Sequence, residues 1–83
     1  MKVYFLNKNS KYFSKFKRFI HIDAYRLSSS EELMKIGWPE IEEDKDNLVV
    51  IEWPENILDC LNDQTYWVKL GHIDDENRSI ELN

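Results

Sequence analysis

The sequence has 83 residues, enough for one small domain with a thin hydrophobic core. It is 42% hydrophobic, 13% aromatic and 33% charged, which excludes a disordered chain, and its single cysteine, Cys60, excludes an internal disulfide framework and a cysteine-rich zinc site. No apolar run reaches the roughly 18 residues of a membrane span, and we expect a reducing compartment, the cytoplasm.

The net charge of −5 is distributed unevenly along the chain. Residues 1–27 carry seven basic side chains and one acid, whereas residues 28–83 carry four basic side chains and fifteen acids. The basic end could attract a polyanion such as a nucleic acid, or its lysines could keep the edge of a hairpin soluble. We favour the second interpretation, because no nucleic-acid-binding motif accompanies the lysines.

Two segments near the start have the pattern of a β-hairpin. Residues 2–6 are rich in strand formers, and residues 16–22 alternate between apolar and polar side chains. The stretch between them is too long for a tight turn. We therefore predict an antiparallel hairpin with a long loop.

A short helix is predicted to begin at the serine run. Ser28 with Glu31, or Ser29 with Glu32, fits a capping box, in which the serine and the glutamate satisfy each other's backbone donors. The acids also lie at the positive end of the helix dipole.

The same helix is predicted to end about two turns later. Gly37 stands where a C-terminal cap glycine belongs, and Pro39 is expected to prevent continuation. Residues 40–47 are acidic and are predicted to form a solvated connection.

The most apolar stretch of the chain is residues 48–51. Because every position is apolar, we predict a central strand that is covered on both faces. Pro54 suits the first turn of a second helix, over residues 55–61.

The end of the chain is predicted to form a second hairpin, in which residues 66–73 and 78–82 are strands and residues 74–77 are the turn. The whole chain, residues 1–83, is therefore predicted to be one α/β domain with the element order β-β-α-β-α-β-β. It contains two antiparallel hairpins and two short helices.

Glu52 lies at the carboxyl end of the most apolar strand. In open α/β sheets ligands bind just outside this end of the strands. Removing a carboxylate from water at the end of a buried strand costs free energy unless it binds a cation, a water molecule or a basic partner. An acid after an apolar strand is also the pattern of a Walker B strand, where it serves Mg²⁺. Many strands simply end in an exposed acid, and this alternative stays open.

Asp23 ends another predicted strand. By alternation it shares one face with His21, and these two side chains with Glu52 could hold a metal ion, although the spacing matches no zinc signature. Asp23 could instead pair with Arg26. Trp53 could stack on a purine ring or simply pack.

Three segments occur in a fixed order: HIDAYRL at residues 21–27, SEEL with IG at residues 30–37, and IEWPE at residues 51–55. Together they resemble the TsaE family, the small bacterial ATPases required to make threonylcarbamoyladenosine in transfer RNA. The resemblance implies a P-loop NTPase-like sheet, of which this chain has the C-terminal portion. The sheet is incomplete, since the glycine-rich Walker A loop ending in lysine-threonine is absent: the only glycines are Gly37 and Gly71.

The resemblance also implies roles for individual residues. Asp23 corresponds to an aspartate implicated in nucleotide hydrolysis, and Glu52 to the acid that is associated with Mg²⁺. Trp53 corresponds to a tryptophan beside the nucleotide, and Arg78 lies roughly where the family has a nucleotide-contacting arginine. Tyr25 and Arg26 match the motif but receive no role.

Mg²⁺ and ATP are the cofactors that the family implies, and TsaD-like and TsaB-like proteins are the implied partners. Hydrolysis would need a complementing N-terminal segment that supplies the Walker A loop. The alternative hypothesis is a non-catalytic relic or docking module for a TsaD-like partner. A third is an unrelated α/β protein whose basic hairpin contacts nucleic acid, although we do not expect direct nucleic-acid binding.

Overall fold

The computed structural model describes residues 1–7, 9 and 15–82. Strand β1, Lys2–Phe5, pairs antiparallel with strand β2, Arg18–Asp23, which confirms the first hairpin. Much of its predicted loop lies outside the described residues.

A helical crossover joins β2 to the next strand. A 3₁₀ turn, Ala24–Arg26, follows β2 directly, and helices α1, Ser30–Ile36, and α2, Trp38–Glu43, come next. Strand β3, Asn47–Glu52, then pairs in parallel with β2, so the sheet has the order β1-β2-β3. A parallel pair needs a long connection of this kind, because the chain must return to the same end of the sheet.

The start of α1 differs in detail from the capping box that the sequence predicts. Ser29 is the N-cap residue but makes no side-chain cap bond. Instead, the Ser28 hydroxyl donates to the Glu32 carboxylate at 2.5 Å, and the Ser28 backbone N–H donates to the same carboxylate at 3.4 Å. Both predicted pairings, Ser28 with Glu31 and Ser29 with Glu32, are therefore wrong, because Glu32 reaches one residue beyond the cap.

Gly37 ends α1 as predicted, with a φ of 97° that few residues other than glycine adopt. The solvated connection predicted over residues 40–47 is wrong in its first half, because α2 occupies residues 40–43. Pro39 lies in the first turn of α2, where its missing N–H leaves no bond unmade. Trp38 is buried and anchors this second helix to the core.

The core lies between one face of the sheet and the helical segments. Its fully enclosed members come from β2, the crossover and the segment after β3: Ile20, Ile22, Ala24, Leu33, Trp38 and Ile57. Val49 and Ile51 of β3 pack against this cluster from the same face. The indole N–H of Trp38 donates to the backbone carbonyl of Cys60 at 3.4 Å, which ties the last helical segment to α2.

The prediction that β3 is a central strand is wrong. It lies at the edge of the sheet, and its residues alternate: Val49 and Ile51 are half-buried, whereas Leu48 and Val50 are each 40% exposed. The physical reason is that the described helices cover one face only. Within the described residues no strand pairs with the far edge of β3.

After β3 the chain forms 3₁₀ helix over Pro54–Cys60, kinked at Ile57, in place of the α-helix predicted at residues 55–61. It starts at the predicted proline. Ile57 is fully buried and Cys60 packs against the same cluster, so both side chains hold the kinked segment against the core.

The predicted second hairpin is confirmed. Strands β4, Val68–His72, and β5, Arg78–Leu82, pair antiparallel and form a separate two-stranded sheet. The backbone N–H of Glu76 and then the side-chain amide of Asn77 donate to the Asp74 carboxylate in the turn, and these bonds lower the pKa of Asp74.

The described residues form a small α/β structure with the order β-β-α-α-β-β-β, apart from its 3₁₀ segments. The Cα radius of gyration is 14.5 Å. A compact chain of this length would have about 12 Å. The terminal hairpin, β4 with β5, packs chiefly on itself. No described helix is long and apolar enough to cross a bilayer.

Candidate functional site at the strand ends

Two acidic residues meet at the carboxyl ends of the parallel strands. Asp23 is the last residue of β2 and Glu52 the last of β3, and they are register partners. Neighbouring strands lie about 4.8 Å apart, and residues in register point to the same face. That face is the uncovered one, which Leu48 and Val50 share with Glu52 by alternation. The structure therefore brings together the two acids that the sequence singles out.

His21 is the third polar side chain of this group. Its ring Nε2 lies 2.5 Å from Oε1 of Glu52, and the His21 side chain is 30% exposed. In its neutral form with Nε2 protonated the ring donates to the carboxylate, and in its protonated form it makes an ion pair with it. Alternation places His21 with Asp23, but only the parallel pairing of β2 with β3 gives it Glu52 as partner.

Asp23 also shapes the backbone that follows it. Its Oδ1 accepts a hydrogen bond from the backbone N–H of Tyr25 at 3.0 Å, which caps the 3₁₀ turn. The ion pairs of the described residues do not include one between Asp23 and Arg26, so that alternative finds no support. The carboxylate is thus held at the strand end by its own turn.

Trp53, the residue after Glu52, has an unusual backbone conformation. Its φ is 56° and its ψ is 60°, a left-handed conformation that is rare for a bulky residue. The indole is not in the core: Trp53 is 57% exposed, and its ring meets that of Tyr25 edge to face with centroids 5.6 Å apart. This aromatic pair flanks the acids, and sequence reasoning gave Tyr25 no role in it.

Arg78 lies elsewhere in the fold. It begins β5, and its Nη1 donates to the backbone carbonyls of Asp74 at 2.5 Å and Asn77 at 2.9 Å. The guanidinium is therefore engaged by the turn of its own hairpin, and the structure does not bring it to Asp23 or Glu52. Its nucleotide-contacting role stays a prediction.

The donors of the site are the carboxylate oxygens of Asp23 and Glu52. Within the described residues no group of three or more histidine, cysteine or acidic side chains is arranged to hold a metal ion, so a zinc site formed by His21, Asp23 and Glu52 is not supported. Two adjacent carboxylates do fit Mg²⁺, which is commonly held by one or two carboxylates and takes its other ligands from water and substrate phosphates.

A wide groove lies beside these residues. Its volume is about 1320 Å³, and it runs between β3 on one side and residues 64–70 on the other. Trp53 and Glu55 line the end near the acids, and Trp38 lines it as well. The groove therefore joins the candidate site to the unpaired edge of β3.

Comparison with known proteins decides the family. A family model described as "Threonylcarbamoyl adenosine biosynthesis protein TsaE" matches residues 4–80. The chain belongs to the TsaE family. This confirms the resemblance carried by the three ordered segments.

A curated relative supports the same assignment. The tRNA threonylcarbamoyladenosine biosynthesis protein TsaE of Borreliella burgdorferi is 39% identical over 66 residues, which are 80% of this TsaE-family chain and 48% of the relative. The chain thus spans about half the length of that relative. No solved structure matches.

Proposed function

We propose that this TsaE-family chain takes part in making threonylcarbamoyladenosine in transfer RNA, and that Asp23 and Glu52 form its nucleotide-handling site. The observation that carries the proposal is their pairing in register at the ends of two parallel strands. In an open α/β sheet this is the edge where ligands bind.

The proposed division of labour follows from the surroundings of each group. Glu52 holds Mg²⁺, directly or through a water molecule, and Asp23 positions a second water beside it. His21 fixes the orientation of the Glu52 carboxylate through their 2.5 Å contact. Bound Mg²⁺ would neutralise the charge that develops on the phosphates of ATP.

The aromatic pair supplies a surface for the base of the nucleotide. Trp53 is more than half exposed, and its ring contacts that of Tyr25 at an interplanar angle of 66°. An exposed indole beside an acidic strand end can stack on a purine. For Arg78 to contact the nucleotide, its guanidinium has to leave the carbonyls of its turn.

The phosphates of ATP need a loop of backbone N–H donors around them, and residues 1–83 contain no such loop. Gly37 caps α1, and Gly71 lies inside β4, where an added Cβ would collide with Ser79. Neither belongs to a loop whose backbone N–H groups could surround a phosphate. Hydrolysis therefore requires a Walker A segment from outside these residues, and residues 1–83 alone should show no Mg²⁺-dependent ATPase activity.

The test is the modification itself. In the source organism the gene is deleted and replaced by the Glu52→Gln or the Asp23→Asn variant, and threonylcarbamoyladenosine is quantified by mass spectrometry of transfer-RNA nucleosides. Both variants should restore about a hundredth or less of the wild-type rate of modification, because a positioned acid or base contributes about 100-fold or more to a reaction rate. Glu43→Gln, an exposed acid at the end of α2, is the matched control and should restore it fully. Unchanged modification after deletion would contradict the proposal.

A second candidate function is a non-catalytic docking module for TsaD-like and TsaB-like proteins in the cytoplasm. Residues 1–83 contain only two glycines and cannot by themselves form a phosphate loop, which is compatible with this alternative. Tryptophan fluorescence titrated with Mg²⁺ and ATP separates the two functions, with Trp53→Phe as reference. A response that needs Trp53 supports nucleotide handling. Partner binding without such a response supports the docking module.

A further inference from the structure

Arg26 is a basic residue beside the candidate site to which neither the sequence nor the site geometry has given a role. It is the last residue of the 3₁₀ turn Ala24–Arg26, which follows the carboxyl end of β2, and it is exposed. A 3₁₀ helix has three residues per turn, so Arg26 follows Asp23, the cap residue, by one turn, or roughly 6 Å along the axis. The long side chain of an arginine can span that distance to a group bound beside Asp23.

The backbone of Arg26 is held in place by the rest of the fold. The N–H of Leu27 donates to the carbonyl of Ala24 at 3.1 Å, which closes the turn, and Ala24 is fully buried in the core. The side-chain amide of Asn56, in the segment after β3, donates to the carbonyl of Leu27 at 2.9 Å. The base of the Arg26 side chain is therefore fixed near the ends of both parallel strands.

The guanidinium of Arg26, in contrast, is unengaged. Within the described part of the chain no hydrogen bond, ion pair or ring contact involves this side chain. The two other arginines of the sequence are both engaged: Arg18 binds Asp44 and Asn47, and Arg78 donates to two carbonyls of its own turn. An arginine with a fixed base and an unbonded end can bind a ligand without first breaking a contact of the fold.

The candidate site needs positive charge before it can accept an anionic ligand. Asp23 and Glu52 are register partners, the exposed Glu55 follows three residues later, and His21 already contacts Glu52. A polyphosphate would bring several further negative charges to this place and would be repelled by the carboxylates. A guanidinium beside Asp23 offsets that repulsion. Its planar fork of N–H donors also matches the geometry of phosphate oxygens.

We propose that Arg26 binds the polyphosphate of a nucleotide at the strand ends, through hydrogen bonds from its guanidinium to the phosphate oxygens. This role rests on the proposed nucleotide site of Asp23 and Glu52, and it adds a positive group to that site. Rotation of the Arg26 side chain is sufficient for the contact, whereas Arg78 would first have to release two carbonyls.

NMR of the arginine side chains tests the contact directly. In the 83-residue chain Arg18, Arg26 and Arg78 each give one Nε–Hε signal, and the loss of a signal in the Arg26→Gln variant identifies that of Arg26. Titration with Mg²⁺ and inorganic tripolyphosphate, and separately with Mg²⁺ and ATP, should shift the Arg26 signal until it saturates. The Arg18 signal should not move, because its Nε already donates to Asn47.

The modification assay tests the same contact in the cell. Arg26→Gln removes the charge and should lower the rate of modification at least ~10-fold, the loss expected for one hydrogen bond between charged groups. Arg26→Lys keeps the charge but lacks the planar fork, and it should restore part of the rate. Lys45→Gln is the matched control, since Lys45 is an exposed basic residue before the amino end of β3, and it should leave the rate unchanged.

A stability measurement separates binding from a structural role. Because the Arg26 side chain makes no bond in the described fold, Arg26→Gln should have the same urea denaturation midpoint as the unmodified chain. A lower midpoint together with slower modification would show that Arg26 stabilises the fold, and it would overturn the proposed contact.

Failure of this contact and failure of the nucleotide site give different results. If Mg²⁺ with ATP shifts the backbone amides of Asp23 and Glu52 but not the Arg26 side chain, the site stands and the contact is refuted. If tripolyphosphate shifts Arg26 equally in the Glu52→Gln variant, the contact stands and the magnesium role of Glu52 is refuted. A shift of Arg26 with transfer RNA that neither tripolyphosphate nor ATP reproduces would overturn the contact, since the ligand would then be a nucleic-acid backbone.

Discussion

The three-stranded sheet and the terminal hairpin are built from similar sequences but have different surroundings. Both contain strands with alternating apolar side chains. In the sheet, Ile20 and Ile22 are enclosed by the crossover helices and are at most 3% exposed. In the hairpin, Leu70 and Ile80 are 74% and 64% exposed. Alternation alone therefore creates an apolar face, and a covering layer is needed to turn that face into a core.

The same contrast exists between the two faces of the sheet. The covered face carries Val49 and Ile51, whereas the other carries Glu52, His21 and the half-exposed Val50. Stability should therefore depend on the first face and ligand or partner binding on the second.

The largest expected effect is the truncation of a buried side chain in the sheet. Ile22→Ala should lower the free energy of unfolding by about 2–5 kcal/mol, because Ile22 is 1% exposed and the cavity cannot collapse fully. Leu70→Ala in the hairpin should change it by less than about 0.5 kcal/mol. Urea denaturation followed by circular dichroism measures both. Equal losses at the two positions would mean that the hairpin is packed as tightly as the sheet.

The next effect concerns the Arg18 cluster, in which Arg18 binds Asp44 and Asn47 near the amino ends of β2 and β3. Nη2 of Arg18 lies 2.6 Å from the Asp44 carboxylate, and its Nε donates to Oδ1 of Asn47 at 2.6 Å. The Arg18 side chain is 27% exposed, so these bonds are partly shielded from water.

Arg18→Ala should lower the free energy of unfolding by about 1.5–3 kcal/mol, the range for hydrogen bonds to charged groups. Lys17→Ala removes only the exposed 3.7 Å pair with Asp46 and should cost less than about 1 kcal/mol. Thermal unfolding of the two variants side by side tests the difference. A Lys17 variant that is as unstable as the Arg18 variant would show that the bonds of Arg18 do not stabilise the fold more than the exposed pair of Lys17 with Asp46.

A smaller effect is expected at the junction of the two helices. Gly37→Ala should lower the free energy of unfolding by about 1 kcal/mol, because an alanine at a φ of 97° is strained. The nearest atom to an added Cβ is 3.6 Å away, so the cost is conformational rather than steric. Gly37→Asn is the matched variant, since asparagine tolerates the left-handed region better, and it should be the less destabilising of the two in the same denaturation assay.

The smallest effect is the pH response of the hairpin turn. Hydrogen bonds from Glu76 and Asn77 lower the pKa of Asp74 in the folded state. The ionised carboxylate therefore stabilises the turn at pH values above the pKa of the unfolded chain, about 3.9. This stabilisation is lost as the pH falls through the lower pKa of the folded state. Asn77→Ala should raise the pKa of Asp74 towards its ordinary value. NMR titration of the Asp74 side chain measures the shift. An unchanged pKa would show that the amide of Asn77 is not a partner.

Local patterns were sufficient for several elements. The two hairpins, the Gly37 stop and the family resemblance follow from residues that are close in sequence. Such patterns also predicted that Asp23 and Glu52 each end a strand, and the register shows that these two strands are neighbours. Their roles in nucleotide chemistry remain predictions.

The helix in the acidic connection and the contact between His21 and Glu52 could not be predicted from such local patterns. Trp38 is buried only because the crossover folds back over the sheet, and this burial stabilises α2 in a stretch whose composition indicates a loop. His21 and Glu52 are 31 residues apart, and only the parallel pairing brings them together.

The sequence by itself determined the strands of both hairpins, the first helix and which family the chain resembles, because these depend on backbone preference and short motifs. Only the tertiary structure decided that β3 is an edge strand with one bare face and that Trp53 is left-handed beside Tyr25. An apolar strand has the same composition whether its neighbours are present or absent, so composition cannot report which of its sides is covered.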